Sequence, residues 1–319
     1  MNKSSKIYVA GHNGMVGSGI VRRLRGEGYD NLVLRSHDEL DLIDQRATCE
    51  FFREEEPEYV ALAAAKVGGI VANDTYRAQF IYENVQIQNN VIHASYENGV
   101  KKLIFLGSSC IYPKYAPQPI KEEHLLSGKL EDTNEPYAIA KIAGIKTCEN
   151  YYRQYGSNFY SVMPTNLYGP NDNFDLKTSH VLPALLRKFY EAKVKGKDEV
   201  TLWGSGEPQR EFMHVDDLAD AFVFLMENVD AREIYEKGIS HVNIGVGKDL
   251  SINELAELIS EVVGYEGEIT HDLSKPDGTP KKLLDVSRLG ELGWEADIPL
   301  REGIEGTLDW YEENYGQSG

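Results

Sequence analysis

Near its start the chain carries a short apolar run, Lys6-Ile-Tyr-Val-Ala10, which ends directly on Gly11-His-Asn-Gly14-Met-Val-Gly17. This junction restricts the possible folds more than any other feature. Isoleucine, tyrosine and valine in sequence read as a strand, and Met15, Val16, Ile20 and Leu24 recur at helical spacing over 15–27. Leu32–Leu34 reads as a second strand, which completes a βαβ unit of the kind that builds a parallel sheet. Glycines at this spacing let the main chain approach a pyrophosphate. The helix that follows offers free N–H groups and a partial positive charge. Gly11, His12, Asn13, Gly14, Met15, Val16 and Gly17 are therefore expected to bind a dinucleotide.

The alternation continues. Tyr59–Ala63, Lys102–Leu106 and Tyr160–Met163 read as short buried strands, with helical patterns near 44–55, 74–98 and 136–155 between them. An α/β fold with a doubly wound parallel sheet and helices on both faces follows. After Pro164 the rhythm breaks, and 164–180 reads as loop because Pro, Asn, Gly and Asp cluster there. Helices are expected at 180–195, 215–227, 251–264 and 301–315, and strands at 199–202 and 241–244. The expected division is a Rossmann domain over 1–165, to which about 210–245 return. Residues 166–319 then form mainly a smaller, interleaved, mixed α/β substrate-binding portion.

An NAD site places a carboxylate at the end of the second strand, on the ribose hydroxyls. Here that position is Leu34-Arg35-Ser36-His37, with no carboxylate before Asp38. Arg35 and His37 suit a 2′-phosphate, so NADP(H) is the expected cofactor. Asp41 and Leu42 are placed to hold the adenine. Ala63, Ala64 and Ala65 close a strand with side chains small enough for a cofactor to cross it.

Tyr137 and Lys141 stand one turn apart on one face of a predicted helix. A phenol with a pKa near 10 is a poor acid–base group at neutral pH. An ammonium one turn away favours the phenolate and can also hold the nicotinamide ribose. Ser108, at the end of the strand before that helix, suits a hydrogen bond to the same carbonyl oxygen that Tyr137 protonates.

Bulk properties exclude several classes. A net charge of −18 disfavours nucleic acid and acidic membrane as partners. No apolar run approaches the ~20 residues that span a bilayer, and the opening residues lack the apolar stretch of a signal peptide. Cys49, Cys110 and Cys148 are three in number with no C-x-x-C spacing. That fits a reducing compartment, so the cytoplasm is expected, and no metal is.

Longer stretches carry a resemblance. AGHNGMVGSGI (10–20), AAAKVGGIVAN (63–73), FLGSSCIYPK (105–114), EPYAIAKIAGIK (135–146), VMPTNLYGPNDNF (162–174), REFMHVDDLADA (210–221) and PDGTPKKLLDVSRL (276–289) resemble the extended short-chain dehydrogenase/reductases. Within that superfamily the chain is similar to the GDP-L-fucose synthase family, over essentially its whole length. The resemblance implies 3,5-epimerisation and NADPH-dependent 4-reduction of a GDP-linked 4-keto-6-deoxy sugar by a homodimer. It implies Cys110 as the base and His180 as the acid of epimerisation, with Cys49 and Cys148 left to packing. Leu106, Gly107, Ser108, Ser109, Pro164, Thr165, Asn166, Leu167 and His180 would complete the cofactor site with Tyr137 and Lys141.

For the diphosphate, Arg210 is the leading cation, followed by Lys188 and by Lys281 or Lys282. Trp203 suits packing on sugar or base, and Asp277 suits hydrogen bonds from guanine or a hydroxyl. The chain departs from the family where it carries Asn13, His37 and Lys188, since arginine is frequent at all three. Rival readings are a nucleotide-sugar 4,6-dehydratase or 4-epimerase of the same superfamily, and a non-catalytic dinucleotide-binding sensor or scaffold.

Overall fold

Strands β1 (Ile7–Ala10), β2 (Leu32–Val33), β3 (Tyr59–Leu62), β4 (Lys102–Leu106) and β5 (Phe159–Pro164) run parallel. They alternate with α1 (Met15–Gly26), α2 (Gln45–Glu55), α3 (Ile70–Thr75), α4 (Arg77–Glu97) and α5 (Glu135–Tyr155). The computed structural model describes residues 1–176, 178–275 and 277–316; Pro276, which opens the last matched stretch above, lies outside them. The chain continues through β6 (Asn166–Tyr168), α6 (Val181–Lys195), β7 (Glu199–Trp203), β8 (Gln209–Arg210), β9 (Phe212–His214), α7 (Val215–Asn228), α8 (Ala231–Tyr235) and β10 (Val242–Ile244). It ends with β11 (Leu250–Ser251), α9 (Ile252–Val263), β12 (Glu268–Asp272), β13 (Lys281–Lys282), α10 (Ser287–Glu291) and α11 (Leu300–Tyr315).

The main sheet has the order β2-β1-β3-β4-β5-β10. Connections leave β1 toward β2, then return to its other side at β3, so a crevice opens at the carboxyl ends of β1 and β3. Ligands of doubly wound sheets bind at such a switch point. Both faces of the sheet are covered, which is why β4 and β5 are buried along their whole lengths. On one face Val9, Ile20 and Leu24 pack with Leu218 and Phe222 of α7. On the other, Tyr8, Phe51 and Phe52 pack in the same core as Val91 and Ile145.

A third apolar cluster stands apart from the sheet, with Leu182, Leu186 and Phe189 of α6, Leu255 and Ile259 of α9, and Ile304 and Leu308 of α11. Capping fixes where these helices begin and end: the Ser251 hydroxyl and the Glu254 carboxylate form a capping box, and Gly264 closes α9 in the left-handed conformation.

Two expectations need correction. The helical pattern over 74–98 is interrupted at Tyr76, whose φ of −106° and ψ of 36° separate α3 from α4. The stretch 164–180 is not all loop, because β6 pairs in parallel with β9 (Asn166 opposite Phe212). A three-residue strand shows no alternation, and its partner lies far along the chain. Two-residue strands β8, β11 and β13 escaped for the same reason.

Candidate active site

At the end of β4 the chain passes through Gly107 into a single helical turn, Ser109–Ile111. A Cβ at Gly107 would meet the end of the Met163 side chain at 2.0–2.2 Å, so any larger residue there would have to displace it. Ser108 caps the turn, accepting a hydrogen bond from the Cys110 N–H at 3.4 Å. Its hydroxyl also lies within reach of the Cys110 thiol and the Tyr137 phenol. Lys141 donates to the Leu106 carbonyl at 2.8 Å, and its ammonium stands 5.7 Å from the Tyr137 ring centroid. Helix α5 carries both groups and approaches the sheet closely at Gly144, where a Cβ would stand 2.5 Å from the Phe105 ring.

Burial governs the charges. It pushes the Tyr137 phenol well above its usual value, with the neighbouring Cys110 adding to the rise. It lowers Lys141 to about 8. It also raises the Cys110 thiol, against the opposing pull of Lys282, Ser108 and Lys141. His180 starts α6, and its imidazole makes no capping bond. It is open to the cleft yet crowded by protein, and that crowding, then the Lys282 ammonium, holds it below the usual histidine value. Lys282 thus faces both Cys110 and His180. Ser108, Cys110, Tyr137 and Lys141 thus lie together at the end of β4, and Lys282 links Cys110 with His180.

The glycine turn lies at the switch point. Gly11 has φ of 85°, and a Cβ on it would stand 2.8 Å from the Ala64 main chain. A Cβ on Gly17 would stand 2.1 Å from the Gly11 oxygen. Gly14 opens α1 without a side-chain cap, and no acid occupies the first turn. The His12 Nδ1 atom is buried without a partner. Free helix N–H groups, close main-chain approach and an orphaned polar atom fit a dinucleotide phosphate. Asn13 is exposed beside them, Met15 and Val16 begin the helix, and Ala63 and Ala65 border the crevice half-buried.

The family-model match spans residues 7–245 and describes an NAD dependent epimerase/dehydratase family. The chain belongs to that family. It is 61% identical to a protein of Arabidopsis thaliana named GDP-L-fucose synthase 1, across 98% of this chain and 95% of the relative. It is 57% identical to a GDP-L-fucose synthase of Escherichia coli, across 97% of each. Among solved structures it resembles a GDP-mannoheptose C4 reductase of Campylobacter jejuni with NADP bound (TM-score 0.91, 45% identity, covering 98% of this chain and 99% of that one).

Several expected residues are already engaged within the chain. The Arg35 guanidinium is paired with Glu55 and donates to the Leu34 carbonyl, so a 2′-phosphate would have to compete for it. His37 is exposed near Asp41 at 3.8 Å. Asp41 accepts from the Ile43 N–H, and Leu42 points into the core, its carbonyl held by Asn90. The apolar side chain of Leu42 is therefore spent on the core. Ser109 is buried, and Pro164 and Thr165 are buried at the end of β5. Leu167 is half-buried, and Asn166 donates to the Glu211 carbonyl at 2.8 Å.

On the other wall, Arg210 is half-buried with no carboxylate partner among the described residues and pairs in register with Lys282. Trp203 is 61% exposed, with the Lys188 and Lys275 ammoniums 5.4 and 5.6 Å from its centroid. Asp277 accepts both the N–H and the hydroxyl of Ser205 at 2.8 Å, so its first task is to join two loops.

Glu211 was not anticipated. Fully buried, its carboxylate accepts N–H groups from Val246, Gly247 and Leu284 at 2.6–3.0 Å. It thereby ties β9, the end of β10 and the end of β13 around Arg210 and Lys282. Nothing in the sequence singled it out among 51 acidic residues. Lys275 was likewise missed. Cys49 and Cys148 pack into the core, as expected.

Proposed function

We propose that the chain converts GDP-4-keto-6-deoxy-D-mannose to GDP-L-fucose by 3,5-epimerisation followed by NADPH-dependent 4-reduction. One arrangement carries the reading: the Tyr137 phenol and the Cys110 thiol meet at Ser108, and Lys282 stands by both Cys110 and His180. The names of the relatives agree with it. The ketone at carbon 4 acidifies the protons on carbons 3 and 5, because loss of either gives an enolate. Cys110 removes the proton from one face, and His180 delivers one to the opposite face. Ser108 holds the enolate oxygen.

Bound NADPH supplies a hydride to carbon 4. Tyr137, held in its protonated form by burial, gives its proton to the oxygen, and Lys141 compensates the phenolate that remains. Resting Cys110 and His180 are thiol and neutral imidazole. The working pair, thiolate and imidazolium, holds the same single proton, so the two forms differ only in where it sits.

Residues 1–165 with about 210–245 are proposed to hold the cofactor, and the remainder mainly the sugar nucleotide. Arg210, Lys188 and Lys282 would meet the diphosphate, and Trp203 would pack on the nucleotide. A homodimer through α4 and α5 is supported by the exposed Tyr82, Tyr96, Ile139 and Tyr155 on those helices. Three free cysteines support a cytoplasmic setting, and no helix among the described residues is long and apolar enough to cross a membrane.

The test is incubation with GDP-4-keto-6-deoxymannose and NADPH in deuterated water. NADPH consumption with deuterium at carbons 3 and 5 is expected. NADPH consumption without deuterium would mark a plain 4-reductase, and no net consumption would mark a 4-epimerase or dehydratase. Cys110→Ser should lose the deuterium and keep its affinity for NADPH.

A further inference from the structure

Between β3 and α3 the chain makes an arch, Lys66–Gly69, which connects the crevice side of the molecule to the segment ahead of His180. Asn84, 2% exposed, grips the Lys66 main chain in both directions, accepting its N–H at 2.9 Å and donating to its carbonyl at 3.0 Å. The Lys66 ammonium is paired with Glu83 at 2.8 Å. Asn73, also buried, donates to the carbonyls of Gly68 and Gly69 at 2.6 and 3.1 Å. The arch is therefore held at both ends by buried amides.

At its far end Gly69 donates its N–H to the Thr178 carbonyl at 3.0 Å. A Cβ on Gly69 would stand 2.9 Å from the Thr178 oxygen and 3.1 Å from the Ser179 oxygen. Its φ of −66° suits any residue, so glycine is required there for space and not for backbone freedom. Those obstructing atoms are main chain and cannot rotate aside. Thr178 is fixed from its own side, since its N–H and hydroxyl both meet the Asp175 carboxylate, at 3.0 and 2.9 Å. His180 follows two residues later, at the start of α6, with no capping bond to orient it.

We propose that Gly69 is a positioning residue for His180: main-chain contact between the arch and Thr178–Ser179 sets where the imidazole stands in the cleft. The inference rests on the reading of His180 as the acid of epimerisation. The arch is a strut between the crevice where the cofactor would bind and the loop that carries the acid.

Gly69→Ala in the full chain tests this. A methyl group in that contact must push Thr178–Ser179 outward and carry His180 with it. Deuterium uptake at carbons 3 and 5 should fall about 10- to 100-fold, with NADPH affinity and melting temperature close to those of the parent. Isotope-labelled histidine followed by NMR, without any sugar, should show His180 titrating closer to the ordinary histidine value as it leaves its crowded surroundings and, with them, Lys282. That readout stands even if the sugar substrate is another one, whereas a parent protein inactive on GDP-4-keto-6-deoxymannose would count against the proposed function. Should Gly69→Ala fail to fold, Asn73→Ala loosens the same arch and should show the same separation to a smaller degree. Identical His180 titration in variant and parent overturns the proposal. So does a loss of deuterium uptake matched by equal losses of NADPH affinity and melting temperature.

Discussion

The Lys141 ammonium donates to the Leu106 carbonyl at 2.8 Å while standing 4.7 Å from the Phe105 ring centroid. It is thus anchored to the end of β4, one turn of α5 away from Tyr137, and surrounded by apolar wall. Burial lowers it to about 8. A lysine with a lowered value is charged below it and neutral above it. Hydride transfer that needs this ammonium should therefore hold steady at neutral pH and decline as pH rises through about 8. Single-turnover NADPH oxidation against pH checks this, and Lys141→Met should abolish the decline together with most of the rate.

Tyr137 separates the two chemistries. Its phenol is needed to protonate the carbon 4 oxygen, whereas proton exchange at carbons 3 and 5 belongs to Cys110 and His180. Tyr137→Phe should lower reduction by about 10²–10⁴-fold while deuterium still enters the sugar. Mass spectrometry of the sugar nucleotide alongside NADPH absorbance gives both readings from one sample. Equal losses in the two would show that the phenol serves both steps.

Gly17 provides the stability test. A Cβ there would stand 2.1 Å from the Gly11 oxygen and 2.8 Å from the His12 Cα. Overpacking of this kind costs about 1–3 kcal/mol, and here it also deforms the turn that would meet the pyrophosphate. Gly17→Ala should lower the melting temperature and weaken NADPH binding together, measured by thermal unfolding and fluorescence titration. Gly26, at the solvent end of the same helix, has nothing near its Cβ position, so Gly26→Ala should do neither.

How legible the site was in the sequence depended on how local each constraint is. Gly11 and Gly17 declared themselves because the turn they build lies within one contiguous stretch. Tyr137 and Lys141 did so because helical spacing alone places them together. Cys110 and His180 were reached only through family resemblance, since the cleft that joins them is made by chain far apart in sequence. Arg35 was read as suiting a 2′-phosphate, yet Glu55 had claimed it from the end of α2, a contact no local pattern announces. Glu211 and Gly69 stayed hidden because their value lies in what touches them: three main-chain N–H groups in one case, two main-chain oxygens in the other. The sheet was legible where strands are buried and apolar. The two-residue strands that set Arg210 and Lys282 side by side were not.

Lys282 offers the last prediction, through the pH profile of epimerisation. The step needs Cys110 as thiolate and His180 as imidazolium. Below the histidine value both groups are protonated and the base is lost; above the thiol value both are deprotonated and the acid is lost. Deuterium uptake should therefore be bell-shaped, with its acid limb below the ordinary histidine value and its alkaline limb above the ordinary thiol value. The Lys282 ammonium lowers both groups, because it favours the anionic sulfur and disfavours the cationic ring. Lys282→Met removes that field, so both limbs should move to higher pH. Lys282→Arg, which keeps the charge, should leave them near their original places. Iodoacetamide labelling of Cys110 in the absence of substrate should report the same alkaline displacement of the thiol. A Lys282→Met profile that only loses height, with both limbs unmoved, would confine Lys282 to binding the diphosphate.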